Sequence, residues 1–330
     1  MKIFIFLATL FFLLHAEEID NTRLRSLAKN NYLKSVPQNY NELLKKLDTV
    51  ENKLTAKKIN LGRTLFFEPL LSKDKTLTCA SCHKMAEGGD DNLPTAIGYK
   101  NRANPKHLNS PTVLNAALSK FLFWDGRAKS VEEQSGGPIQ AHFEMNLKPK
   151  ELVERLSKNQ MYKDNFREVF GKKITFENVK KAIGAYEKTL LTRGKFDDFL
   201  DGDNNAINKQ AKKGLEIFIK NGCVKCHYGI ALGGQLIEKF PKYQTSIFPF
   251  NNIGNFKGKD DQYLFRVPIL RNITETSPYY HNGEVKKLSR VIKIESKHET
   301  NKKLNKKQIK FILEFFKTLE GKLVDYRIDG

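Results

Sequence analysis

The sequence predicts a mainly α protein built from two related units with long loops, and three observations carry that prediction. A C-x-x-C-H motif occurs twice, as Cys79-Ala80-Ser81-Cys82-His83 and as Cys223-Val224-Lys225-Cys226-His227. Each copy follows a G-x-x-[LI]-F stretch, Gly62-Arg63-Thr64-Leu65-Phe66 and Gly214-Leu215-Glu216-Ile217-Phe218, an echo expected of a duplicated unit. Sustained apolar-polar alternation, the mark of strands, is scarce. Two thiols at this spacing can add to the two vinyl groups of one haem while the adjacent imidazole takes its iron. The motif therefore reads as c-type haem attachment, and each unit as a cytochrome-c-like haem domain.

A zinc ribbon, a thioredoxin-like redox pair and a disulfide framework compete for the same cysteines. Ribbon C-x-x-C pairs usually lie roughly 15–20 residues apart, whereas about 140 residues separate Cys82 from Cys223. A ribbon also leaves the histidine after both pairs unexplained. All four cysteines of the chain belong to the two motifs.

The chain opens with Met1-Lys2, an apolar run from Ile3 to Leu14, and His15-Ala16 before Glu17-Glu18. This reads as a cleavable secretory signal over residues 1–16, too short to span a bilayer. Because c-type haem is attached outside the cytoplasm, the periplasm is the expected location, and no later stretch reads as a membrane span. The mature chain is expected to divide into an N-terminal haem domain, residues 17–200, and a C-terminal one, residues 201–330. Residues 17–50 read as helix and linker.

Glu68-Pro69 and Ser72-Lys73-Asp74-Lys75 place a loop between the first G-x-x-[LI]-F helix and its motif. In the second unit Ile207, Ala211, Leu215, Phe218 and Ile219 share one helical face, and Asn221-Gly222 stops the helix just before Cys223. From Glu87-Gly88-Gly89 to Met145-Asn146 the chain reads as loops and turns, Glu132 to Pro138 included. Pro149 opens a helix with Leu152, Val153 and Leu156 inward, and Thr175 caps another with Val179, Ala182, Ile183, Tyr186 and Leu190 inward. Asn305 and Gln308 form a capping box before Ile309, Ile312, Leu313 and Phe316, with Gly321 as the expected stop.

Lysine and arginine number 57 against 37 acidic residues, a formal net charge of +20. Such a field favours an acidic partner, such as a small electron-donor protein. The lysines are scattered and no block resembles a nucleic-acid arm, so nucleic acid is not an expected partner.

Beyond the haem motifs, an ordered series stands out: Gly88-Gly89-x-Asp91-Asn92, Ser110-Pro111-Thr112-Val113-Leu114-Asn115, Phe123-Trp124-Asp125-Gly126-Arg127 and Glu144-Met145-Asn146. It continues through Phe265-Arg266-Val267-Pro268-x-Leu270-Arg271-Asn272 and Ser277-Pro278-Tyr279-Tyr280-His281-Asn282-Gly283. From about residue 55 to 320 the chain resembles the bacterial dihaem cytochrome c peroxidase family.

The resemblance implies two covalently bound c-type haems, held by Cys79, Cys82, Cys223 and Cys226 with His83 and His227 as proximal ligands. The first would react with hydrogen peroxide and the second would pass it electrons from a small periplasmic donor such as a cytochrome c. Cleaving the O–O bond needs a group that takes a proton and returns it to the departing oxygen, work suited to a positioned carboxylate. The resemblance assigns that role to Glu144, makes Gln134 the residue that holds peroxide nearby, and places Trp124, the chain's single tryptophan, between the haems. His142 is off-pattern and reads as a surface residue. Asn109, Thr276 and Pro278 match positions that hold calcium, an ion suited by carbonyl oxygens. Members of the family are often homodimers.

Two departures qualify the resemblance. Where the family often has a histidine that plugs the first haem, Tyr99 follows Gly98, so the distal ligand is Tyr99, the nearby His107, or absent. The expected methionine ligand of the second haem is also missing, since Met1, Met85, Met145 and Met161 are the only methionines. Glu295 falls at its place, with His298 as the alternative. An oxygen or imidazole ligand favours ferric iron where a thioether favours ferrous. Absence of that methionine is similar to the MauG-like branch, which oxidises a protein substrate. The expected activity is peroxide reduction, with MauG-like protein oxidation and a dihaem electron carrier as alternatives.

Overall fold

A computed structural model describes residues 20–243 and 249–326, and the signal expected over residues 1–16 lies outside them. Side-chain caps set where most helices begin. Asp20 and Asn39 accept backbone N–H groups at the starts of α1 (Asn21–Asn30) and α2 (Tyr40–Leu47), and Thr55 does so for α3 (Ala56–Phe66). A short turn, α4 (Cys79–Cys82), carries the first motif, and α5 spans Val131–Gln140. The chain continues through α6 (Pro149–Ser157), α7 (Gln160–Phe170), α8 (Phe176–Glu187), α9 (Lys195–Asp201) and α10 (Lys209–Asn221). It ends with α11 (Leu288–Glu299) and α12 (Lys306–Lys317). Among the described residues, strands form only two-stranded antiparallel ribbons: Ile97–Gly98 with Arg102–Ala103, Thr192–Gly194 with Gly321–Leu323, and Ile237–Lys239 with Leu264–Arg266. No helix there is long and apolar enough to cross a membrane. The fold is mainly α, as expected, with long loops between α4 and α5 and between α10 and α11.

The repeated G-x-x-[LI]-F stretches perform the same packing task twice. A Cβ on Gly62 would lie 1.9 Å from the carbonyl oxygen of Ala182 and 3.0 Å from Cβ of Tyr186, so only glycine lets α3 close on α8. A Cβ on Gly214 would lie 1.9 Å from the carbonyl oxygen of Phe311 and 2.8 Å from Cβ of Phe315, where α10 closes on α12. Two hydrophobic cores result. One joins α3 and α8 through Leu65, Phe66, Ala182 and Ile183, and the other joins α10 and α12 through Leu215, Phe218, Ile312 and Phe315. The N-terminal helix α1 packs into the second core through Leu24 and Ala28.

The structure corrects two local expectations. Glu132 to Pro138 is helical despite its two glycines and proline. Ser130 accepts the N–H of Glu133 while Glu133 accepts that of Lys129, a capping signal present in the sequence but outweighed by the glycines. A Cβ on Gly137 would lie 2.8 Å from the Phe123 ring, and one on Gly136 would lie 2.7 Å from the flexible Lys180 side chain. Helix α12 ends at Lys317, not at Gly321. Gly321 instead pairs with Gly194 across the ribbon, where a Cβ would lie 2.7 Å from the backbone of Arg193.

Candidate active site

Both C-x-x-C-H motifs fold as one tight turn. The N–H of His83 donates to Cys79 O and that of His227 to Cys223 O, each at 3.0 Å. Thr78 N–H on Ser81 Oγ anchors the first turn, and Gly222, at a φ of 94°, ends α10 to launch the second. Each imidazole is then oriented the same way. Nδ1–H of His83 donates to Gly89 O at 3.2 Å and that of His227 to Leu232 O at 3.1 Å. This leaves Nε2 of both rings as the free ligand atom, the tautomer that an iron-binding histidine needs. Burial lowers the pKa of both rings, that of His227 to about 4, so both are neutral.

All six motif residues with side-chain chemistry, Cys79, Cys82, His83, Cys223, Cys226 and His227, line one cavity of about 710 Å³. No disulfide joins any of the four cysteines. Burial pushes the thiols up, to about 12 for Cys82 and about 11 for Cys226. Paired thiols and a neutral imidazole, present twice around a largely apolar space, fit two haems.

Glu144, Gln134 and Trp124 line the same cavity. Glu144 is held from behind: a Cβ on Gly98 would lie 2.0 Å from Phe143 O and 2.8 Å from Glu144 Cα, and the N–H of Tyr99 donates to Glu144 O at 2.7 Å. Its carboxylate makes no hydrogen bond among the described residues. Burial raises its pKa, partly offset by the Arg127 charge. Gln134 projects from α5, one helical turn before Pro138, which lines the same cavity. Trp124 is fixed by Nε1–H on Asn109 O at 2.9 Å and by the edge of the His281 ring at 6.3 Å between centroids. His142 is exposed and meets the Phe143 ring in an edge contact.

Several candidate ligands fall elsewhere. Neither Tyr99 nor His107 lines the cavity. The Lys100 ammonium stands 5.5 Å from the centre of the Tyr99 ring, and His107 Nδ1 is engaged by the Thr95 hydroxyl. His298 also lies off the cavity, whereas Glu295 and Glu299, one turn apart on α11, line it. Tyr280 Oη donates to Glu295 Oε1 at 2.9 Å. Burial lifts Glu295 to about 7, and burial with the Glu295 charge lifts Glu299 to about 8.

Asn109, Thr276 and Pro278 are brought near one another, yet Asn109 turns its Nδ2 to Leu93 O (2.9 Å) and Pro278 O (3.1 Å). The amide nitrogen rather than the oxygen faces those carbonyls in this arrangement. Sequence reading missed Glu187, Glu299, Tyr280 and Arg266 on the wall. Tyr280 and Arg266 lay inside recognised motifs, but nothing local marked Glu187 or Glu299.

Comparison with known proteins follows the same lines. A family model described as di-haem cytochrome c peroxidase matches residues 56–205. Cytochrome c551 peroxidase of Pseudomonas aeruginosa is 41% identical over 272 residues, 79% of this chain and 78% of that one. The methylamine utilization protein MauG of Methylorubrum extorquens is 33% identical over 73% of this chain and 69% of its own. A MauG-like protein associated with microbial copper homeostasis shares the fold, with a TM-score of 0.72 at 23% identity over 90% of this chain and 96% of that one.

Proposed function

The chain belongs to the di-haem cytochrome c peroxidase family, and from that membership we propose that it reduces hydrogen peroxide to water in the periplasm with electrons from a small redox protein. The observation that carries this reading is one cavity lined by both motifs and by Gln134 and Glu144, whose carboxylate makes no hydrogen bond among the described residues. Bound haems supply the iron that takes peroxide and the reducing equivalents that cleave it.

The chain's own residues do the rest. Cys79 and Cys82 would hold the first haem with His83 toward its iron, and Cys223, Cys226 and His227 would do the same for the second. Glu144 takes a proton from the incoming peroxide and returns it to the departing oxygen, and its raised pKa suits both directions of that transfer. The Gln134 amide holds the substrate against it. Trp124 fills the space between the two motifs and shortens the electron path. An open first site is supported by the lining of the cavity, which includes neither Tyr99 nor His107.

Glu144→Gln tests the assignment. The variant should bind two haems and lose peroxide reduction by on the order of 10²–10⁴-fold, and turnover at the wild-type rate would remove Glu144 from the mechanism.

A second reading, oxidation of a protein substrate, draws on the missing methionine. With Glu295 on the cavity wall as the distal ligand, the second haem would be a weak acceptor from high-potential donors. Glu295→Met should raise its potential, and an unchanged potential would take Glu295 off the iron. Retention of Glu144 and Gln134 on the wall argues against a plain electron carrier.

A further inference from the structure

Arg266, the last residue of the Leu264–Arg266 strand, and Arg271, just beyond it, are both buried, at 5% and 1% exposure. Arg271 has its counter-ion, with Nη1 and Nη2 donating to Asp197 Oδ2 at 2.8 Å and Oδ1 at 2.7 Å. Arg266 does not. Its Nε donates to Phe123 O at 3.2 Å, its backbone N–H donates to Trp124 O at 2.8 Å, and its two Nη atoms make no hydrogen bond among the described residues. No carboxylate there pairs with it. Burial lowers its pKa to about 10, which leaves it charged at neutral pH.

A buried charge without a partner is costly, so folds rarely keep one unless an opposite charge arrives with a ligand. The place of this one says which ligand. Arg266 lines the cavity shared by both motifs, with Cζ 5.7 Å from the centre of the Trp124 ring. The other arginine on that wall, Arg127, already holds both oxygens of Asp125 at 2.8 Å and is exposed. A planar guanidinium can grip a carboxylate through two parallel N–H bonds while its face rests on an aromatic ring.

We propose that Arg266 takes a propionate carboxylate of a bound haem at the seam between the two haem sites, while its face keeps the Trp124 indole in place. This rests on the two-haem reading. The charge also acts on the iron, because a fixed cation beside a haem favours the reduced form and its removal favours the oxidised one.

Potentiometric titration of holo Arg266→Gln, with haem counted as its pyridine complex, tests the proposal. Two haems per chain should remain, one midpoint potential should shift to a more negative value, and that potential should gain a steeper dependence on pH as the propionate loses its partner. Both potentials matching the wild type in a two-haem variant would overturn it. Should Arg266→Gln fail to accumulate, Arg266→Lys keeps the charge without the fork. A smaller shift of the same sign is then expected, and unshifted potentials overturn the proposal. A wild-type protein with fewer than two haems per chain would instead bring down the two-haem reading itself.

Discussion

Asp197 shows what a buried charge needs from its neighbours. Its oxygens take both Arg271 nitrogens and the N–H groups of Val36 and Gly194, and both side chains of the ion pair are fully buried. Asp197→Ala would leave a stranded cation at a cost of about 3–5 kcal/mol, measurable by denaturant unfolding. A loss under ~1 kcal/mol, the worth of an exposed pair, would contradict it. Glu187, 5% exposed on the cavity wall, is pushed up to about 8 by burial and by the Glu132 charge. The folded chain keeps this proton to a higher pH than the unfolded chain, whose glutamates titrate near about 4.3. Its contribution is therefore fully present below that value and lost as pH rises toward about 8. Glu187→Gln should flatten the pH profile of unfolding free energy across that window, and an unaltered profile would show that the proton is not held there. Glu144 and Trp124 were legible because each sits in an ordered motif, and Gln134 through the family resemblance alone. Glu187 is marked only by its burial, and Arg266, though inside a motif, shows its missing counter-charge only in the fold, because both features depend on residues far away in the chain.

Helices repeat the lesson in backbone terms. The crossings of α3 on α8 and of α10 on α12 both require glycine at the point of closest approach, and the repeated G-x-x-[LI]-F made that duplication legible before any coordinates. Gly62→Ala and Gly214→Ala should each destabilise by about 1–3 kcal/mol or more through overpacking, read as a lower Tm. A variant that melts like the wild type would show that its crossing is not as close. Caps were legible for the same reason: Thr175 accepts from Asn178 N at 3.1 Å, and Asn305 with Gln308 closes a full capping box. Helix α5 was not, since Gly136 and Gly137 signal a turn unless one knows that Phe123 and Lys180 press on them.

Across the whole molecule, sequence order said nothing of the feature that matters most. The two motifs are about 140 residues apart in the chain yet open on one cavity, brought there by two separate cores. Tyr99 and His107 were reasonable ligand candidates by position, but the loop that carries them braces Glu144 from behind. The net charge of +20 should make reaction with an acidic donor salt-sensitive, with KM for the donor rising as ionic strength increases. A KM indifferent to salt would discount electrostatic docking. The most direct test is steady-state peroxide reduction by the ferric two-haem protein as isolated, with a reduced small cytochrome as donor, beside the same protein after one-electron reduction. Immediate turnover without prior reduction is the predicted result, and no turnover in either state would contradict a peroxidase.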